Sequence, residues 1–258
     1  MTILSIRVIM VKVTKEEGTV MIDTIIFDVD DTLYDQALSF KNTVKKKFQT
    51  TLSEAELDRM YIISRKTSDA LFDQSEAGEI SILEMHIRRV TSACEAFDIP
   101  ITRQKAIEFQ AAYVEEQKKI RLFDEVRDLL DHLKQENKQL GVLTNGEKNH
   151  QAMKIEQLNL KNWIPEENIF ISGAIGHAKP KREVFDIIEA KLNLDKSTTV
   201  YIGDSFDNDI VGAKNAGWQA LWMNHRKREL PESSVKPDVE VHSAKELLHV
   251  LRRKQLLV

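Results

Sequence analysis

An α/β fold, with a mostly parallel sheet covered on both faces and an α-helical block inserted near its start, is predicted by three observations. From Asp124 onward, short apolar or β-branched runs alternate with amphipathic stretches. A first such run, Thr24 to Val29 (TIIFDV), stands apart from them and reads as a buried strand. Between it and Asp124 no convincing strand occurs, only helical patterns.

Four helices are expected in that block. Ala37 to Gln49 carries Phe40, Val44 and Phe48 at four-residue spacing. Ser53 with Glu56 forms a capping-box pattern opening a second helix that runs to about Phe72. Ser81 with Glu84 opens a third, whose Leu83, Ile87, Val90, Cys94 and Phe97 make one apolar stripe. Pro100 and Thr102 start a fourth, ending near Ile120. Then Val126, Leu129, Leu130 and Leu133 mark a helix, and Gln139 to Thr144 (QLGVLT) a strand. Helix His150 to Leu158, strand Asn168 to Ser172, helix Arg182 to Leu192 and strand Thr199 to Gly203 (TVYIG) follow. Helix Asp209 to Ala216 stops at Gly217, a left-handed cap. Gln219 to Met223 is expected as the last core strand, and Ser243 and Glu246 cap a final helix.

With 258 residues the chain can bury a large core, and 42% hydrophobic with 30% charged residues is the composition of a globular protein. A net charge of −4 gives no footprint for nucleic acid. No apolar run has the length of a membrane span. The single cysteine, Cys94, permits no intrachain disulfide and fits a reducing, cytoplasmic compartment. Residues 1–20 form an N-terminal extension of open status: Ile3 to Val13 can be an edge strand, or translation can start at Met21. The oligomeric state stays open between monomer and homodimer.

In parallel α/β sheets, ligands bind beyond the carboxyl ends of the strands. The first strand there runs into Asp28-Val29-Asp30-Asp31-Thr32, the second into Thr144-Asn145-Gly146. The segment after the third holds Lys179-Pro180, and the fourth runs into Gly203-Asp204-Ser205-Phe206-Asp207-Asn208-Asp209. Six aspartates are thereby expected at one rim: Asp28, Asp30, Asp31, Asp204, Asp207 and Asp209. Like charges 4 Å apart cost on the order of 4 kcal/mol at an effective dielectric near 20, so the cluster must take up protons or a cation. Carboxylate oxygens without nearby His or Cys favour Mg²⁺, and the ion with Lys179 and Thr144 makes a site for a dianion such as phosphate.

These motifs resemble the haloacid dehalogenase (HAD) superfamily. FDVDDTLYD matches its first motif, DxDx(T/V), while LTNG at 143–146, Lys179 in HAKP, and GDSFDND at 203–209 resemble the second, third and fourth in order. The likeness covers Met21 to Val258, and WMNHR at 222–226 with KPDVEVHSAKEL at 236–247 looks like the small-molecule phosphatase branch. It implies a Rossmann-like (HAD-like) core at 21–35 and 121–258, with a C1-type four-helix cap domain at 36–120 that closes over the site. By resemblance Asp28 is the nucleophile that becomes an aspartyl-phosphate, and Asp30 protonates the leaving group and then activates water. Thr144, Asn145 and Lys179 hold the phosphoryl group. Asp28, the Asp30 backbone carbonyl, Asp204 and Asp209 bind Mg²⁺, and Asp207 is left without a firm role. Asp30 also separates the chain from true dehalogenases, which lack a second Asp there. The implied activity is hydrolysis of a small phosphorylated metabolite, a nucleoside monophosphate or a sugar phosphate. A phosphate-responsive aspartyl-phosphate switch and an inactive HAD-like binding protein are the alternatives. Arg226-Lys227-Arg228 reads as a surface loop, with contact to an anionic substrate as the other reading, Lys45-Lys46-Lys47 as a solvated helix face, and the three tryptophans as packing residues.

Overall fold

The computed structural model describes residues 22–48 and 50–252, so the expectations for residues 1–20 and for a start at Met21 lie outside the described residues. Two compact units divide the chain: residues 22–34 with 122–252, and residues 35–121.

The first unit is built on strands β1 (Thr24–Phe27), β2 (Gln139–Thr144), β3 (Ile169–Ile171), β4 (Thr199–Gly203), β5 (Gln219–Met223) and β6 (Val239–Val241). They form a 6-stranded sheet in the order β3-β2-β1-β4-β5-β6, with every neighbouring pair parallel. All four residues of β1 are buried, as a central strand flanked on both faces requires. Ile26 joins Leu143, Phe170, Val184, Phe185, Ile188, Tyr201 and Trp218 in one core cluster. Ile25 and Phe27 are also buried and, by strand alternation, point to the opposite face. Helices Asp124–Gln135 and Ala244–Arg252 pack on each other, the first also against β2 and the second against β6. Helix Gly212–Ala216 ends at left-handed Gly217 (φ 82°), as expected.

β1 is the centre from which the chain builds outward twice. It adds β2 and β3 on one side, then crosses back to add β4, β5 and β6 on the other. Such a switch point opens a crevice at the carboxyl ends of the central strands. The register puts Phe27 level with Val142 and Ile202, so β1, β2 and β4 end together. The Asp28 amide continues the ladder by donating to the Ile202 carbonyl at 2.8 Å.

Strand β6 is absent from the sequence reading, which ended the sheet at β5. It is three residues long with Glu240 at its middle, and only Val241 is buried, so it carries no run of apolar residues. Short, charged strands of this kind are how sheets finish their edges.

The second unit is helical. Its long helices are Gln36–Lys47, Glu54–Ala70, Ile82–Glu95 and Arg103–Gln117. A fifth, Phe72–Glu76, is only five residues long and has no side-chain cap, so neither periodicity nor capping announced it. Ser53 and Glu56 close the expected capping box. Ser81 accepts from the Glu84 amide, but the Glu84 carboxylate turns to Arg88 (3.0 Å) and Arg103 (2.7 Å). Phe40 meets Tyr61, Phe109 and Tyr113 edge-on at the unit's centre. Cys94 is buried there, and desolvation pushes its thiol up to about 12, fitting a packing role. Lys45, Lys46 and Lys47 are exposed, as expected of a solvated helix face, and the first two pair with Glu54 and Glu116. Among the described residues no helix is long and apolar enough to cross a membrane.

Phe185 has no exposed surface and stands edge-on to Trp218 (5.3 Å between centroids) and Tyr201 (6.1 Å). Phe185→Ala is expected to destabilise the protein by about 3–5 kcal/mol in denaturant unfolding. A loss below about 1 kcal/mol would mean that the cluster collapses around the void or was never tightly packed.

Candidate active site

Side chains from four strand ends meet at the carboxyl edge of the sheet. Asp28 follows β1 directly, and its carboxylate is almost buried, with 8% of the side chain exposed. Asp204 follows β4, and Asp209 returns to the same place from the π-helical turn Phe206–Val211. One carboxylate oxygen from each of Asp28, Asp204 and Asp209 lies within 4.8 Å of the others. Gly203 makes this possible: a Cβ there would stand 2.2 Å from Asp209 Oδ2. The Ser205 amide donates to that same oxygen at 2.9 Å and fixes the turn.

Lys179 supplies the opposing charge. Its Nζ donates to Asp28 Oδ1 at 2.8 Å, to Asp209 Oδ1 at 2.7 Å and to the Tyr201 hydroxyl at 2.6 Å, which uses all three ammonium hydrogens. Tyr201 passes its own hydrogen to the Leu143 carbonyl at 2.7 Å. Asn145 fastens the lysine's backbone, accepting from the Lys179 amide and donating to the Lys179 carbonyl, both at 2.9 Å. Thr144 ends β2 just beyond the level of Asp28 and is buried. Gly146 is held by Ser172 Oγ (2.9 Å).

The electrostatics show a shortage of positive charge. Burial, with the charges of Asp209 and Asp30 adding to it, pushes Asp28 up to about 7 although Lys179 pulls the other way. Burial also lifts Asp204 well above the usual carboxylate range, against the pull of Arg228 and with the charges of Asp31, Asp209 and Asp28 adding to the rise. Burial works against the Lys179 charge as well, but Asp209 and Asp28 hold its ammonium above the ordinary lysine value. One ammonium thus serves two of three converging carboxylates. The donor set is hard oxygen, and a divalent cation of the Mg²⁺ type fits it.

The convergence is narrower than six. Asp30 and Asp31 are neutralised by other partners, and Asp207 is exposed at the start of the π-helical turn. Burial would raise Asp30, but the Lys154 charge, with hydrogen bonds from Gln151, Lys154 and Tyr34, holds it well below the usual range. Asp31 sits in the left-handed region (φ 59°), where its bidentate partner Arg226 contacts both carboxylate oxygens at 2.6 Å. His225 Nε2 lies 3.2 Å from Asp31, so a histidine does stand beside the acidic rim, though it is not part of the three-carboxylate cluster.

The surface-loop reading of Arg226-Lys227-Arg228 is corrected by these contacts. Arg228 Nη2 lies 3.0 Å from Asp204 Oδ2, and Nη1 donates to the Asp204 carbonyl at 3.0 Å. Trp222 also donates to that carbonyl, at 2.8 Å, so one packing tryptophan also positions a site residue. Tyr34, Gln151, Lys154 and Tyr201 have no place among the sequence-predicted site residues, and Arg226 and Arg228 are read there only as part of a basic loop. Gln151 and Lys154 did carry a signal: at three-residue spacing on a short helix after the Thr144 loop, they share one face aimed at the same rim.

The fold and this acidic, lysine-braced edge define an α/β hydrolase centre. A family model for haloacid dehalogenase-like hydrolases matches residues 22–217, and the chain belongs to that family. The putative HAD-hydrolase YfnB of Bacillus subtilis is 25% identical over 252 residues, 88% of this chain and 94% of that protein. Glyceraldehyde 3-phosphate phosphatase of Methanopyrus kandleri is 26% identical, with 90% and 98% covered. The pyrimidine 5'-nucleotidase YjjG of Escherichia coli is 34% identical over 116 residues, a match spanning 45% of this chain and half of that protein. In three dimensions the magnesium-bound crystal structure of YfnB superposes with a TM-score of 0.67 at 24% identity, covering 90% of this chain and 99% of that one. The L-2-haloacid dehalogenase RSc1362 reaches 0.70 at 16% identity, a likeness of fold.

Two outcomes follow from the charge shortage. An unfolded aspartate titrates near 3.8 and Asp28 near 7. Between those values the folded, metal-free chain holds the extra proton, and its stability falls as pH rises. Asp204 acts in the same direction, while Asp30 and Asp31 titrate below this window. The urea midpoint of metal-free protein should therefore drop between about pH 4 and about pH 7, Asp28→Asn should flatten the slope, and Mg²⁺ should raise the midpoint more at the upper end. Equal slopes for both proteins would contradict the shift. Separately, Gly203→Ala should displace Asp209 and weaken Mg²⁺ binding at least about tenfold by calorimetry, since a misplaced ligand spoils the geometry of a hard-ion site.

Proposed function

We propose that this protein is a Mg²⁺-dependent phosphatase that hydrolyses a small phosphorylated metabolite through an aspartyl-phosphate on Asp28. The observation that carries the reading is the meeting of Asp28, Asp204 and Asp209 within 4.8 Å, with the Lys179 ammonium on two of them. Asp28, Asp204 and Asp209 would hold the ion, together with the Asp30 backbone carbonyl. When bound, it would offset the repulsion between the Asp28 carboxylate and a phosphate dianion.

In the first step an Asp28 oxygen attacks phosphorus in line and the bond to the ester oxygen breaks. Asp30, which Lys154 holds ionised in the resting site, must first take up a proton, and it then gives that proton to the leaving oxygen. In the second step water attacks the acyl phosphate, Asp30 takes the water's proton, and phosphate departs with Asp28 restored. The same group serves as acid and then base because the two steps run the proton transfer in opposite directions. Thr144 and Asn145 would bind phosphoryl oxygens beside Lys179. Since the three Lys179 hydrogens are already engaged within the protein, it must exchange one partner to bind phosphate directly.

Relatives named for glyceraldehyde 3-phosphate and pyrimidine nucleotides support a sugar phosphate or a nucleoside monophosphate as the substrate class. Asp30, a second acid two residues after the nucleophile, favours phosphoryl transfer over dehalogenation. A persistent aspartyl-phosphate switch is the competing reading.

A panel of phosphorylated metabolites assayed for released phosphate tests this. Steady multiple turnover with Mg²⁺ is expected, with loss by at least about 10³-fold in EDTA or in Asp28→Asn. Turnover that survives Asp28→Asn would remove Asp28 as nucleophile. A single-turnover burst, leaving a mark that lasts minutes, would favour the switch.

A further inference from the structure

The carboxylate of Asp30 rests in a cradle that the phosphatase reading does not by itself require. Lys154 Nζ donates to Oδ1 at 2.8 Å and to Oδ2 at 2.6 Å. Gln151 Nε2 donates to Oδ2 at 3.0 Å, and the Tyr34 hydroxyl donates to Oδ1. These contacts fill the roughly four acceptor positions a carboxylate offers, so its rotation about χ2 is restricted, and one contact must open when Asp30 carries a proton while the others keep its direction.

Two of its three donor residues come from one element. Lys154 and Gln151 lie three residues apart on helix Lys148–Gln157 and are both buried, at 3% and 4% exposure. A buried ammonium is costly unless paired, and Asp30 is a close, bidentate partner. Gln151 Nε2 also donates to the Asn145 carbonyl at 2.9 Å, which ties the cradle to the loop after β2. Gly146 leaves room for this reach: its φ is +144°, and a Cβ there would stand 2.7 Å from Gln151 Nε2. The helix that begins just after the Thr144 loop thus returns two donors to the acid that follows β1.

We propose that Lys154, assisted by Gln151, is a positioning residue that fixes the Asp30 carboxylate for proton transfer at the leaving oxygen. This role rests on the reading of Asp30 as the acid and base. Lys154 acts through Asp30 and touches no reacting atom.

The leaving group tests the role. An alkoxide cannot leave without a proton, whereas p-nitrophenolate can, so kcat/KM for the two classes separates a positioning defect from general damage. For Lys154→Met, kcat/KM with an alkyl phosphate is expected to fall on the order of 10²-fold, but with p-nitrophenyl phosphate by less than about fivefold. Lys154→Arg should recover most of the loss. Placed in an Asp30→Asn background, Lys154→Met should add less than about threefold with the alkyl phosphate, against the order of 10²-fold it costs alone, because neighbours acting through one group are not additive. Equal losses for both leaving groups, or the same loss with and without Asp30, would overturn the proposal. Should Lys154→Met fail to fold, Gln151→Met removes one donor at similar length and is read by the same ratio. Failure of the underlying reading looks different: Asp30→Asn would itself turn over the alkyl phosphate at the unaltered rate, and the positioning role would fall with it.

Discussion

The hydrogen-bonded ammonium of Lys179 is the interaction on which the rest of the site depends. It bridges Asp28 and Asp209, which come from opposite ends of the sequence, and its third hydrogen is taken by a tyrosine of the core. Without that cation, two nearly buried carboxylates would face each other with no compensation beyond protonation, at a cost of several kcal/mol at any plausible effective dielectric. With it, and with Arg228 on Asp204, three converging carboxylates still outnumber the two cations, and that residual deficit is what makes the edge receptive to a hard divalent ion.

The fold delivers this arrangement through register. Because Phe27, Val142 and Ile202 are level, three neighbouring parallel strands release their next residues at one height. Small residues then permit the close approaches: Gly203 admits Asp209, and Gly146 admits Gln151. Tyr201 carries the coupling inward, since its ring packs edge-on to Phe185 while its hydroxyl receives Lys179. Core packing and site geometry are therefore not separable at this position.

Much of this was legible in the sequence, for reasons that differ by element. β1, β2, β4 and β5 are apolar runs bounded by polar residues, so periodicity finds them. β6 was invisible because a three-residue edge strand with a central glutamate has no such run. Of six candidate aspartates, the sequence could not say which would be answered by local cations, since Arg226 lies 195 residues from Asp31 and Lys154 lies 124 from Asp30. A basic run such as Arg226-Lys227-Arg228 looks solvated until the turn after β5 is seen to aim its first and last members at Asp31 and Asp204. Motif order did find Asp28, Thr144, Lys179, Asp204 and Asp209, because strand ends in a parallel sheet share an edge.

The turn after β5 also sets the order in which the site can be completed. Asn224 closes it, donating to the Arg228 carbonyl and to Glu240 on β6 while accepting from the Arg228 amide. Both guanidinium groups that serve Asp31 and Asp204 hang from that clasp. A nascent chain that has emerged only through the π-helical turn after β4 already holds the acids but not these two counter-charges. The rim is at its most self-repelling before the turn after β5 is in place, and docking of β5 and β6 relieves it, so this edge of the sheet acts as an electrostatic keystone for chemistry founded at β1.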